Sequence, residues 1–307
     1  MDLKETGKTI AKLRRSGGFT QASLAEKLGI SDKAVSKWER GIACPDVSLW
    51  NKLSILLDTD IESMIYGHDG RKEWRGALLL DEGIPCDTLI FNKPLIHYLL
   101  SQFLLVGISD ITIVGKCTPP SLPGVQIDVI DNISKVNHWF TNSTFLIYGN
   151  RFLYGPNLTK YFMRAMSRTD SITIISSMKR KGLYPIEVDE NRKAKLTDKL
   201  VSNQYYAEPF AFVPAKTGIS KYIRFEDLIK GDDINAETMV RGMMSFHVCS
   251  YADAFKLSEF VKIMEELTGE RIGCIEEIVI RRGMAEYEDV IVGCDNETRR
   301  YLDGLFQ

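Results

Sequence analysis

No apolar run in the 307-residue chain extends beyond about four residues, as at Ala77–Leu80 and Phe145–Tyr148, far short of the roughly 18–20 that cross a bilayer. The opening MDLKETGKTIAKLRR has no apolar stretch of the kind a secretory leader requires. An excess of one charge is lacking as well. There are 39 basic and 41 acidic residues, a formal net charge of −2, so any surface that attracts nucleic acid has to be local, and no membrane partner is expected. The six cysteines (Cys44, Cys86, Cys117, Cys249, Cys274, Cys294) include no CxxC pair. That pattern argues against a zinc ribbon or a disulfide framework and for six reduced thiols in a cytoplasmic protein. His68, His97, His138 and His247 are too dispersed for a recognisable zinc set, so no metal or other cofactor is expected. What remains, 44% apolar and 26% charged, is ordinary globular composition, which excludes a wholly disordered chain and leaves room for two or three domains.

Periodicity changes near residue 70. Through residues 1–66 the apolar positions follow helical spacing: Ile10 with Leu13; Leu24, Ala25 and Leu28; Val35 with Trp38; Leu49, Leu53 and Leu56. Punctuation falls between them. Gly17-Gly18, Gly29 and Gly41 end helices; Thr20, Ser31 and Pro45-Asp46 begin them, and Asp60 opens a short fifth. Residues 66–70 (YGHDG) read as linker. Beyond them, strands are predicted at 77–80, 110–114, 125–130, 145–148, 171–176 and 210–213, and helices at 94–103, 158–166 and 254–267. Alternation of this kind over about 235 residues predicts an α/β domain with a mainly parallel, Rossmann-like mixed sheet flanked by helices. The expected organisation is a small all-α domain over 1–67, a linker over 68–74, and the α/β domain over 75–307.

Thr20–Gly41, TQASLAEKLGISDKAVSKWERG, has a small residue, Ala25, where two helices must cross. Gly29 stands where a tight turn needs left-handed backbone, and Val35 and Trp38 pin the second helix of the pair. Nine basic residues stand against four acidic ones between positions 4 and 40, a local excess in a chain that has none overall. The segment resembles the XRE/Cro-type helix-turn-helix, over about residues 4–66. The resemblance implies double-stranded DNA as partner, with the outer face of the second helix in the major groove. Asp32, Lys33 and Lys37 then become base readers, with Ser36 on the same face. Gln21 and Ser31 take positions at helix N-termini near phosphate or base edges, and Arg40 joins the basic surface.

From Arg75 onward the order of motifs is similar to that of sugar-phosphate nucleotidyltransferases, glucose-1-phosphate thymidylyltransferase in particular. Lys93-Pro94-Leu95-Ile96 followed by LLVGISDITIV (104–114), GNRFLYG (149–155), IEVDENRKAKLTDK (186–199) and IEEI (275–278) carry the resemblance. Those enzymes join a nucleotidyl group to a sugar phosphate by in-line displacement, using Mg²⁺ and basic groups to neutralise phosphate. The family's glycine-rich GGxGTRL loop is represented by DEGIPCDTL (81–89), with one glycine, no arginine and the acids Asp81, Glu82 and Asp87. Its two metal-binding aspartates correspond to Asn150 and Val248, which offer magnesium no carboxylate. Its sugar-phosphate half keeps Lys93, Asp198 and Lys199, while Phe210 replaces a glycine and is expected to crowd the pocket.

These readings lead to a cytoplasmic, sequence-specific transcriptional regulator that is not an enzyme. Its larger domain is expected to bind a sugar phosphate or nucleotide sugar as effector and to pair copies into a homodimer or higher homo-oligomer. Two alternatives stay open: an active bifunctional nucleotidyltransferase that also binds DNA, and a larger domain that serves only as a dimerisation scaffold.

Overall fold

The structure is a computed structural model and describes residues 3–57, 59, 61, 64, 74–131, 142–178, 184–198, 204–217, 224–231, 233–239 and 242–306. The expected linker at 68–74 lies outside them except for Trp74, which begins the first strand. Asp60, His68, His138 and Lys199 also lie outside the described residues.

Helices α1 (Leu3–Ser16), α2 (Gln21–Leu28), α3 (Asp32–Glu39) and α4 (Val47–Leu56) form where the apolar stripes predict them. Thr20 caps α2 by accepting from the Ser23 N–H at 3.0 Å, and Ser31 caps α3 by accepting from the Ala34 N–H at 3.3 Å. Gly29 ends α2 at φ 72°, and its N–H reaches the Ala25 and Glu26 carbonyls. The inward residues Ile10, Leu24, Ala25, Leu28, Val35, Trp38, Trp50 and Leu53 share one core. Gly7 is dictated by packing: a Cβ there would lie 2.2 Å from the Trp38 carbonyl oxygen, so α1 passes against the end of α3 with only hydrogen between backbones.

The second compact unit is the sheet domain, spanning 73–121 and 125–275; residues from Glu276 onward group with the first unit, whereas the sequence reading carries the larger domain to 307. Strands β1 (Trp74–Leu79), β2 (Leu89–Ile90), β3 (Lys93–Pro94), β4 (Asp110–Val114), β5 (Gln126–Ile130), β6 (Ser143–Tyr148) and β7 (Arg151–Tyr154) come first. Then follow β8 (Ile172–Met178), β9 (Tyr184–Val188), β10 (Ala194–Leu196), β11 (Tyr205–Val213), β12 (Ile234–Thr238) and β13 (Met244–His247). The main sheet runs β10-β9-β11-β6-β1-β4-β5, with β8 added to β11 and β12 to β8. Its parallel part is β6-β1-β4-β5, together with β8-β12; β11 runs antiparallel to its neighbours, so the sheet is mixed. Helices α5 (Leu95–Leu104), α6 (Leu158–Met166), α7 (Phe225–Ile229) and α8 (Tyr251–Thr268) belong to this unit. The first unit also takes in three helices from the C-terminal stretch, α9 (Ile275–Arg281), α10 (Tyr287–Ile291) and α11 (Asn296–Phe306). The strands expected at 77–80 and 210–213 are longer than the apolar runs that announced them, because β1 and β11 continue into mixed sequence.

Two expectations are corrected here. Phe210 does not crowd a pocket: it is fully buried and packs in the core with Phe145 and Phe162 at ring separations of 6.5 and 6.4 Å. Both faces of β11 are buried from Ala207 to Val213, so Phe210 is core whichever way the strand alternates; the strand bulges between Glu208 and Ala211. Nor are all six thiols reduced. Cys86 and Cys117 form a disulfide with Cα atoms 5.8 Å apart, and Cys44, Cys249, Cys274 and Cys294 are in no disulfide. The two partners sit 31 residues apart, on the loops after β1 and β4. Adjacent parallel strands bring those loops to one edge, a proximity that sequence spacing does not reveal. Titration with a thiol reagent in denaturant without reductant is therefore expected to count four thiols, rising to six after reduction; six from the outset would refute the bridge.

Candidate functional sites

The first site is the outer face of α3. Asp32, Lys33, Lys37 and Arg40 are exposed and Ser36 is half-buried, on the side away from Val35 and Trp38. Steps of one and four residues bring them to one stripe. Asp32 also serves its own helix, since its carboxylate accepts from the Lys33 N–H at 2.7 Å, where the positive end of the helix dipole favours an acid. Arg40 folds back, its Nε donating to the Ser36 carbonyl at 3.2 Å. Lys33 and Lys37 thus supply the charge that reaches outward.

Gln21 and Ser31 are brought to the same motif but are committed to it. Ser31 Oγ holds the α3 cap, and the Gln21 amide donates to Glu39 Oε2 at 2.7 Å. Glu39 is the centre of a network that the sequence reading missed, where Arg14 entered only as a unit of charge. Arg14 Nε lies 2.5 Å from Glu39 Oε1, Arg14 donates to the Phe19 carbonyl at 2.6 Å, and both side chains are almost wholly buried. Burial alone would raise the Glu39 carboxyl's pKa. Hydrogen bonds from Arg14 and Gln21, with the Arg14 charge, outweigh it and hold the group below its ordinary value. The network locks α1, α2 and α3 together and so sets the orientation of the α3 face.

The second site is the cleft at the C-terminal ends of β1 and β6, the edge where open α/β sheets receive ligands. Asn150 and Val248 do meet there: the Val248 N–H donates to the Asn150 carbonyl at 2.8 Å, and Asn150 Nδ2 donates to the Val248 carbonyl at 3.3 Å. Both are fully buried. The cleft above them is filled from within the chain. Asp81 Oδ2 accepts from the Asn150 N–H at 3.1 Å and lies 2.7 Å from His247 Nε2. Gly149, at φ 79°, permits this approach, since a Cβ on it would stand 2.5 Å from the Asp81 carboxylate. Gly83 seats the rest of the loop, its Cβ position lying 2.3 Å from the Cys249 carbonyl oxygen.

Burial would raise the Asp81 pKa, but the His247 and Asn150 hydrogen bonds and the charges of His247 and Arg151 bring it below the ordinary carboxylate value. Asp81 therefore carries negative charge at neutral pH, against the Asn150 backbone N–H. Glu82 and Asp87 are exposed on the same loop. The residues present do not fit the Mg²⁺ that the resemblance implies. Val248 offers no side-chain oxygen, Asn150 Oδ1 faces the Asp81 N–H at 3.4 Å, and Asp81 is held by two donors. Among the described residues, no group of three or more His, Cys, Asp or Glu side chains is arranged to hold a metal ion.

Beside this cleft, the ends of β4 and β5 border a cavity of about 410 Å³, lined by the Cys86–Cys117 bridge, Asp87, Lys116, Thr118 and Asp131 among others. The expected sugar-phosphate residues lie elsewhere. Lys93 on β3 is buried, with its Nζ 3.3 Å from Glu265 Oε1 and 2.9 Å from Asn92 Oδ1. Asp198 is exposed beyond β10, and Lys199 lies outside the described residues. A ligand phosphate would have to displace Glu265 to reach Lys93.

Comparison with known proteins finds two separate likenesses. A helix-turn-helix family model matches residues 10–63. The glucose-1-phosphate thymidylyltransferase of Neisseria gonorrhoeae is 21% identical over 244 residues, covering 66% of this chain and 83% of that protein. The same-named protein of Mycobacterium tuberculosis is 22% identical over 243 residues, with the same coverage. Among solved structures, a UTP-bound UGPase from Acinetobacter baumannii aligns with a TM-score of 0.47 at 13% identity, over 63% of this chain and 99% of that one. HddC from Yersinia pseudotuberculosis, complexed with GMP-PN, aligns at 0.43 and 15% identity, over 60% and 98%. The chain thus carries an XRE-type helix-turn-helix domain at residues 10–63, followed by a nucleotidyltransferase-like domain that matches the glucose-1-phosphate thymidylyltransferases.

Proposed function

We propose that this protein is a cytoplasmic, sequence-specific transcriptional regulator, with its DNA-binding module over residues 1–67 and a nucleotidyltransferase-like module over 75–307 that does not turn over substrate. In this reading the larger module senses a sugar phosphate or nucleotide sugar and pairs copies of the chain. The observation that carries it is the Asp81 carboxylate seated on the Asn150 N–H and beside His247. In-line nucleotidyl transfer depends on donors and cations around a triphosphate. Here a fixed negative charge occupies that ground, and like charge at such range is repulsive by roughly several kcal/mol. An effector would act by binding two states of the protein unequally. The tie of Lys93 to Glu265 favours a second reading, in which the larger module only pairs copies.

Three measurements test this. Selection from random duplex DNA is expected to enrich an inverted repeat with half-sites about 34 Å apart; no enrichment would defeat the regulatory reading. Incubation with nucleoside triphosphates, hexose 1-phosphates and Mg²⁺ is expected to release no pyrophosphate above background, and release at an ordinary enzyme rate, about 1–10³ per second, would defeat the loss of turnover. Thermal shift separates sensor from scaffold. A true effector at about 100 times its Kd adds about 2.7 kcal/mol, whereas no response to any sugar phosphate or nucleotide sugar selects the scaffold.

A further inference from the structure

Helix α8 turns Ala254, Leu257 and Val261 inward. Its outer face is unexpectedly apolar: Tyr251 is 68% exposed, Phe255 66%, Ile263 51% and Leu267 77%. With the exposed Glu259 they fall on one row of four-residue steps, 251, 255, 259, 263 and 267. Exposed Lys256 and Lys262 stand three residues to either side of Glu259. The row is a palindrome about Glu259, with lysine at plus and minus three and large apolar groups at plus and minus four and eight.

We infer that this face is a two-fold interface between two copies of the chain, with the α8 helices packed antiparallel and crossing at Glu259. In an isologous contact, residue +n of one copy meets residue −n of the other. Phe255 then packs on the partner copy's Ile263, and Tyr251 on its Leu267. The two Glu259 carboxylates approach the axis inside four lysine ammoniums, Lys256 and Lys262 from each copy. Lys256, which bonds Asp253 at 3.2 Å in the single chain, turns between two acids of the same sign without losing a partner. Rows of i, i+4 residues pack into one another at a crossing angle of about −50°.

The area agrees. Two aromatics of about 150–250 Å² each, about two-thirds exposed, with two aliphatics, put on the order of 500 Å² per copy in play. That is about 1,000 Å² for the pair, the size a specific interface has to reach, and the patch on one copy is of the size that is often functional. The inference deepens the pairing role proposed above, and the regulatory reading supplies its use, because a helix-turn-helix reads two half-sites through a two-fold pair.

Sedimentation velocity on the full chain tests it. The protein is expected to run as a dimer at micromolar concentration. The double variant Phe255→Asp with Ile263→Asp is expected to run as a monomer with an unchanged melting temperature. Glu259→Lys alone, and Lys256→Glu with Lys262→Glu, should each raise the dimer Kd at least about tenfold, while an equimolar mixture of the two restores a heterodimer near the original affinity. If the aspartate variant unfolds, this charge exchange at exposed positions decides. A chain monomeric at about 100 μM, a dimer indifferent to both aspartates, or charge variants that fail to complement would overturn the inference. Mass, not DNA binding, is the readout. A dimer that ignores DNA therefore sinks only the regulatory reading, and a monomer that binds a half-site sinks only this one.

Discussion

Replacing Glu39 by alanine is expected to cost the helix-turn-helix module about 3–5 kcal/mol, the usual effect of leaving a buried partner charge uncompensated. Arg14 would be stranded among α1, α2 and α3, with Gln21 also released. Against a typical domain stability of about 5–15 kcal/mol, that is enough to open the module a large part of the time. Hydrogen exchange resolved by segment is the appropriate measurement, because two compact units need not unfold together. Amides of α2 and α3 should lose protection by about a hundredfold or more, while β1, β4 and β6 keep theirs. Protection in α2 and α3 within about twofold of the unaltered protein would remove Glu39 from the centre of the motif.

The same group gives the module a pH dependence with a definite sign. The Glu39 pKa is lower folded than its ordinary value of 4.5. Its contribution is therefore fully present above the unfolded value and is lost as pH falls through the folded one. Acidification below about 4.5 should loosen α2 and α3 before any change is seen near neutrality. Glu39→Gln, which keeps the shape without the charge, should flatten that part of the profile.

The second large effect is expected at the DNA. Lys33→Ala and Lys37→Ala should each weaken binding to the selected site by about 1–3 kcal/mol and relax preference at one base position, if each donates to a guanine edge as the exposed α3 face allows. Fluorescence anisotropy on the selected site and on single-base variants, at several salt concentrations, measures both parts. Equal weakening on all sequences, with the salt slope reduced by about 0.9 per lysine, would assign them to phosphate instead. Undiminished affinity in the double variant would remove the α3 face from the interface altogether.

What was legible beforehand and what was not follow from the range of the forces involved. Thr20, Ser31 and Gly29 announced the helix ends because a cap or a left-handed turn is settled within about four residues. Val35 and Trp38 announced the buried stripe of α3, and thereby its outer face, for the same local reason. Asn150 and Val248, which the resemblance assigned to one site, do meet through hydrogen bonds. Phe210 was misjudged because β11 is buried on both faces from Ala207 to Val213, and that depends on what packs above and below the sheet, which one strand's sequence does not reveal. The α8 row was present in the sequence as an ordinary helical stripe. Only the burial of Ala254, Leu257 and Val261 showed that a second apolar face was left outside.

Helix ends, turn glycines and the two-part architecture were written in the chain, since each depends on neighbours a few bonds away or on the spacing of apolar groups. Arg14 with Glu39 across 25 residues, Cys86 with Cys117 across 31, and Asp81 with Asn150 and His247 across 69 and 166 had to wait for folding. Hydrogen bonds, ion pairs and disulfides act only over a few ångströms. The residues they join are chosen by strand register and helix packing, which bring distant parts of the chain within that reach.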